Sequence, residues 1–225
     1  MHRLALAATA LFALAAPVWA AEDTPVSTKE IGTACMLSDL GACKVITAGF
    51  LNRHDYGDND GEPFLAWQTQ SGSTEYDGVI GGFVLLQYKD GWTVLDSGFD
   101  GYFDMPRLND DGVLHQPGYG QGTGVANADR LYQRDPDTGD FIAVDMDQWK
   151  DTIGDRLPQG LGIWKGVAYD FSRPWAGYEA VTNLWKDDDA NCCPSGGVAT
   201  IKLEIQDHVL VATDVVLSSP DPSAE

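Results

Sequence analysis

Positive charge is scarce in this chain. Its 225 residues include 14 lysines and arginines against 34 aspartates and glutamates, a formal charge of −20. So acidic a surface repels phosphate backbones and anionic bilayers, making nucleic acid and membrane surfaces poor partners. Histidine is also sparse: beyond His2, only His54, His115 and His208 occur. They show no H-x-H or H-E-x-x-H spacing, so a histidine-based zinc centre would have to be assembled by tertiary structure alone. There is no G-x-S-x-G turn of the kind that presents a nucleophilic serine. Carboxylates, by contrast, are so abundant that no acid/base pair for glycoside hydrolysis stands out. Beyond the first 20 residues no apolar run approaches the roughly 20 residues needed to span a bilayer. Together these absences favour a non-enzymatic role over catalysis.

What is present begins with an export signal. Met1-His2-Arg3, an apolar run over residues 4–16 and Pro17-Val18-Trp19-Ala20 read as a secretory signal peptide, residues 1–20. The mature chain is expected to start at Ala21 and to be periplasmic or secreted, with no membrane span left after cleavage. No cysteine follows the apolar run closely, which argues against a lipid anchor. The apolar fraction of 44% opposes wholesale disorder. Export places Cys35, Cys43, Cys192 and Cys193 where disulfides persist. Three connectivities are open to them. The long-range pairings, joining the N-terminal pair to the C-terminal pair, are favoured because they close the larger loop.

The expected organisation is a leader and disulfide-tied helix over 21–43, a single mainly β domain over 44–217, and a disordered Pro/Ser/Asp-rich tail over 218–225. Ser27 to Glu30 has the form of a capping box ahead of Ile31, Ala34 and Cys35 at helical spacing. Residues 83–88 and 92–95 flank Lys89-Asp90-Gly91, a strong hairpin signal. A second hairpin is expected over 201–217, turning near Gln206-Asp207. Further strands are expected at 128–133, 141–145, 163–169 and 178–184, with another option from Lys44. Trp149, Ile153 and Leu157 recur at helical spacing, with Asp145 or Asp147 as cap and Pro158 as stop. The fold class is therefore mainly β: an antiparallel meander, sandwich or partial-propeller-like sheet with one or two short helices.

The most distinctive stretch is Asn191-Cys192-Cys193-Pro194-Ser195-Gly196-Gly197, after Asp187-Asp188-Asp189. Two adjacent thiols suit a soft metal or disulfide exchange. The neighbouring aspartates disfavour a thiolate, so a disulfide-fixed turn leading into a strand is the preferred account. With Leu157-Pro158-Gln159-Gly160-Leu161 and Trp164-Lys165-Gly166, this segment resembles uncharacterised exported bacterial proteins with a C-terminal CCPSGG-type motif. The resemblance covers the last third of the chain and implies a class without an activity.

Two Asp-rich turns raise calcium as the one cofactor worth weighing. Asp55, Asp58 and Asp60 lie in one, Asp135 and Asp137 in the other, and both stack oxygen ligands. Neither matches the D-x-[DN]-x-[DN]-G loop, and solvated turns are the default reading. The glycine-rich run 118–124 lacks the lysine and following helix of a phosphate loop, and reads instead as a close approach of two backbones. Trp92 and Trp149 fall in core patterns. Trp67, Trp175 and Trp185 lie beside glycine, proline or charge and are candidates for sugar stacking, against the plainer reading that they are packing residues. The leading expectation is a non-catalytic module binding a protein or glycan of the cell envelope. The alternatives are an envelope-acting hydrolase using carboxylates, and a metal-handling protein using the Asp-rich turns or Cys192/Cys193.

Overall fold

The structure, a computed structural model, describes residues 25–52, 63–76, 78–121 and 126–218. The expected signal peptide, the Asp55–Asp58–Asp60 turn with His54, Gly122 to Gly124 and the tail beyond Ser218 lie outside the described residues.

Three four-stranded antiparallel sheets follow one another along the chain, each built chiefly from strands adjacent in sequence, and the described residues form no closed barrel. The mainly β expectation holds. The first sheet is an up-and-down meander of β1 (Gly41–Asn52), β2 (Pro63–Thr74), β3 (Gly78–Tyr88) and β4 (Trp92–Gly98). The expected hairpin joins β3 to β4, with the Lys89 amide donating to the Gly91 carbonyl at 3.0 Å. Eight consecutive residues of β3, 80–87, are buried, so both faces of this sheet are covered. Phe83 and Leu85 point into one cluster, while Val84 and Leu86 pack with Ile31 in another.

Ile31 belongs to the segment expected to be helical, and here the structure corrects the reading. Residues 25–40 form a turn-rich loop, with one α-type turn from the Ala34 amide to the Glu30 carbonyl. Gln68 and Gln70, both buried on β2, take the backbone groups a helix would have used. Gln68 Nε2 donates to the carbonyls of Ile31 (2.6 Å) and Ala34 (3.2 Å), and its Oε1 accepts from the Met36 amide (2.8 Å). Gln70 Nε2 donates to the Met36 carbonyl at 2.8 Å. Gly32 had already weakened the helix. The loop is tied to β1 by a Cys35–Cys43 disulfide, and Ala42, at φ 50°, sits in an irregular stretch of the β1–β2 ladder.

The middle region adds β5 (Tyr102–Phe103), β6 (Arg107–Leu108), β7 (Val113–Gln116), β8 (Gly118–Tyr119), β9 (Arg130–Arg134) and β10 (Phe141–Ala143). The second sheet runs β10-β9-β7-β6, and β5 pairs with β8 alongside. Gly118 bears out the close-approach reading: a Cβ there would stand 2.6 Å from the Phe103 ring and 2.8 Å from the Ala128 carbonyl oxygen. Alternate residues of the central strands serve different cores. Leu114 and Tyr132, paired across β7 and β9, join the cluster of the first sheet, whereas Val113 and Leu131 join that of the third.

A short helix, α1 (Gln148–Ile153), follows, extended by a 3-10 turn over Gly154–Arg156. It buries Trp149 and Ile153 as its periodicity predicts. Asp147 occupies the cap position without capping. Asp145 Oδ1 instead accepts the amides of Asp147 (2.9 Å) and Gln148 (3.3 Å). The C-terminal part contains β11 (Leu161–Gly162), β12 (Ala168–Asp170), β13 (Tyr178–Asn183), β14 (Trp185–Lys186), β15 (Val198–Gln206) and β16 (Val209–Ser218). The third sheet is β12-β13-β15-β16, and β11 pairs with β14. Of the strand expected over 163–169 only Ala168 and Tyr169 are in a strand, β12, while residues 163–167 link it to β11; the turn of the last hairpin falls at Asp207-His208, both at positive φ (50° and 61°). Ser218, expected to open the tail, pairs with Val198.

Candidate functional site

The long-range disulfide expectation is overturned. Cys35 pairs with Cys43 and Cys192 with Cys193, leaving no free cysteine. The reason is position: Cys35 is held against β1 and β2 of the first sheet, while Cys192 and Cys193 sit in the loop between β14 and β15 of the third, so each finds its partner locally. Neither sulfur of the vicinal pair is a thiolate, the form that binds soft metals.

One of the three aspartates before the motif shapes this loop. Asp189 accepts from the Lys186 amide (2.7 Å), the Ser195 amide (2.8 Å) and the Ser195 hydroxyl (2.7 Å), stapling the loop ends together. The Lys186 amide, followed by the Ser195 hydroxyl and amide, holds the Asp189 carboxyl below its ordinary value. The stapled loop forms one wall of a cleft of about 360 Å³ lined by Lys165, Asn183, Trp185, Asn191, Cys192 and Pro194, among others. Trp185 is half-buried, and its indole N–H is buried with no hydrogen-bond partner. Trp164, 61% exposed, meets Trp185 edge-on at 6.3 Å, with Lys165 Nζ 4.9 Å over its ring. Lys165 in turn donates to Asn191 Oδ1.

A second hollow, about 180 Å³, lies where β6 and β7 of the middle sheet face the end of β12. Arg107, Asn109, Asp110, His115, Tyr169, Asp170, Phe171, Ser172 and Trp175 contribute to its lining. His115 Nε2 lies 2.7 Å from Asp129 Oδ1, with both side chains nearly inaccessible (7% and 10% exposed). Asn127 fixes the pair, donating to Asp129 Oδ2 at 2.9 Å and bonding the backbone of Val167 through both ends of its amide. The His115 ring meets Phe171 edge-on at 5.0 Å, and Phe171 stacks on Tyr169 at 5.6 Å. Desolvation pushes the Tyr169 phenol well up, with the Trp149 indole opposing. The Ser172 hydroxyl and amide, with Arg173, hold Asp170 down to about 2.

The sequence candidates thus separate. Trp185 and Cys192 meet in one cleft. Trp175, 75% exposed, belongs to the other hollow. Trp67 is withdrawn as a surface candidate, because it is 5% exposed and packs in the core under Gly49 of β1. Asp135 and Asp137 form an ordinary turn: Asp135 Oδ1 accepts the amides of Asp137 (2.8 Å) and Thr138 (2.9 Å). Among the described residues no three histidine, cysteine or carboxylate side chains gather as a metal site, and no helix is long and apolar enough to cross a membrane. Sequence reasoning missed Asn183 and the Asn127–Asp129–His115 chain. Trp164 and Asn191 were visible only as parts of the distinctive C-terminal segments. Comparison with protein-family models, curated proteins and solved structures finds no match.

Proposed function

We propose that the chain is an exported module that binds a glycan of the cell envelope, and that the sugar sits in the cleft between β14 and the vicinal disulfide loop. The observation carrying this reading is the convergence of Trp185, Asn183, Asn191 and Cys192 on one cleft, with Trp164 edge-on against Trp185 beside it. Its volume is at the lower end of the roughly 300–1,000 Å³ usual for small-molecule sites. A pyranose has an apolar C–H face and a rim of hydroxyls. Indole and disulfide surfaces suit the face, and carboxamides, which both donate and accept, suit the rim. The rigid staple at Asp189 supports the same reading, since a preorganised wall lowers the entropic cost of binding.

Binding is favoured over hydrolysis because none of the side chains lining the cleft is a carboxylate. A glycan array followed by calorimetry on the best saccharide tests the proposal. Trp164→Ala, at an exposed position, is expected to lower affinity about tenfold without changing the melting temperature, as loss of an aromatic anchor does. Absence of any saccharide ligand, or undiminished binding by both Trp164→Ala and Trp185→Ala, refutes it.

A further inference from the structure

The Cys192–Cys193 bond adds little to the stability of the fold. A crosslink's hold on the unfolded chain grows with the length of the loop it closes. This one joins residues at a sequence separation of 1, against 8 for Cys35–Cys43. Nor does the loop need it to keep its ends together. Asp189 ties Lys186 to Ser195. The Leu184 amide donates to the Gly197 carbonyl (2.9 Å), and the Gly196 amide to the Leu184 carbonyl (2.8 Å). None of these bonds involves sulfur. The arc between them, residues 190–194, is closed by the disulfide and by the Cys193 amide donating to the Ala190 carbonyl at 2.9 Å. Asn191, Cys192 and Pro194 of this arc line the cleft. The covalent bond therefore acts on the cleft wall and on little else.

The two disulfides also differ in access. Thiol–disulfide exchange requires a thiolate to reach one of the sulfurs. Cys192 and Cys193 are both exposed. Cys35 and Cys43 are both half-buried, with Cys43 Sγ 3.3 Å from the buried Gln70 Oε1. Cys192 belongs to the cleft lining and Cys193 does not, so attack on Cys193 changes the wall without the reductant entering the cleft.

We infer that Cys192–Cys193 is a redox-sensitive latch on the cleft, opened by a dithiol reductant while Cys35–Cys43 stays closed. Its effect on saccharide binding rests on the glycan reading, whereas its selective opening does not. One thiolate of the dithiol attacks a sulfur of the pair, forming a mixed disulfide and releasing the other cysteine, which takes up a proton. The second thiolate of the dithiol then displaces the remaining cysteine, which is protonated in turn. The chain gains two electrons and two protons, and the dithiol leaves as its own intramolecular disulfide. The arc 190–194 is then held only at its stapled ends, and the wall loses the preorganisation that favours binding. Reoxidation restores it.

The test exposes the purified chain, with both disulfides intact, to graded dithiothreitol, then alkylates with iodoacetamide and maps the peptides. Cys192 and Cys193 are expected to be alkylated together, at dithiothreitol concentrations about tenfold below those that open Cys35–Cys43. Deuterium exchange on the same samples should accelerate about tenfold in peptides covering 190–194 and stay unchanged in β15. Cys192→Ser/Cys193→Ser, held open, should match the reduced chain and ignore dithiothreitol. A saccharide ligand should bind the reduced chain about tenfold more weakly than the oxidised one. Opening of Cys35–Cys43 first or at the same concentration overturns the inference. So does unchanged exchange in the loop once Cys192–Cys193 is open, or a saccharide held equally by both forms. Absence of any saccharide ligand refutes the glycan reading alone, because alkylation and exchange are read without one.

Discussion

Gln68 carries an unusual share of this fold for a single side chain. It is fully buried, yet both ends of its carboxamide are spent on the loop over β2: two carbonyls, one amide and the neighbouring Gln70 Nε2 at 2.6 Å. Replacing it with leucine roughly preserves volume but removes the carboxamide and strands those groups away from water. Each buried polar group left unpaired costs about 1–3 kcal/mol. Gln68→Leu is therefore expected to lower the urea unfolding free energy by at least about 2 kcal/mol, and an unchanged midpoint would show that the loop finds other partners. The same residue explains a failed expectation. The capping-box pattern at Ser27–Glu30 is a local signal, and the groups that defeat it lie more than thirty residues away on a strand.

At the scale of elements, hairpins were legible and their surroundings were not. The β3–β4 and β15–β16 pairs announce themselves because turn chemistry and alternation act over neighbouring residues. The break between β11 and β12 has no such local cue. Nor does the meeting of Trp185 with Cys192, which depends on Asp189 closing the loop between them. His115 was visible as a lone histidine; its partner Asp129 could be found only once β7 and β9 were in register.

Packing within the first sheet makes a sharper claim. Gly81 lies on β3, where an added Cβ would fall 2.6 Å from the Gly101 carbonyl oxygen and 3.2 Å from that of Gln70. Both obstacles are backbone, so the strand itself must move. Gly81→Ala is expected to destabilise by about 1–3 kcal/mol in chemical denaturation, in line with other overpacked sites. Gly32→Ala, with nothing within 4 Å of the new methyl, should cost nothing measurable. Equal behaviour of the two variants would mean the β3–β5 contact is looser than described.

For the molecule as a whole, the titration of its tyrosines sets an alkaline limit. Tyr132, Tyr169 and Tyr178 all have their phenols raised, each chiefly by desolvation; the Asp96 carboxylate adds to the effect at Tyr132, and Asp129 and Asp147 add to it at Tyr169. A group whose pKa is higher folded than unfolded stabilises the fold fully below the unfolded value, about 10 for tyrosine. That stability is lost as pH rises through the folded value. Stability is thus expected to fall progressively above about pH 10. Absorbance at 295 nm should show these three tyrosines ionising above the ordinary tyrosine value of about 10 while the chain stays folded. Their ionisation at that ordinary value in the folded chain would contradict this.

The middle sheet has a kinetic consequence as well. Because Val113 and Leu131 serve one core while Leu114 and Tyr132 serve the other, neither half can loosen these strands without disturbing its neighbour. The amides of β7 and β9 should therefore exchange with deuterium only through opening of the entire molecule, and be the last to do so. Protection decaying at different rates on the two sides of that sheet would reveal two independently opening halves.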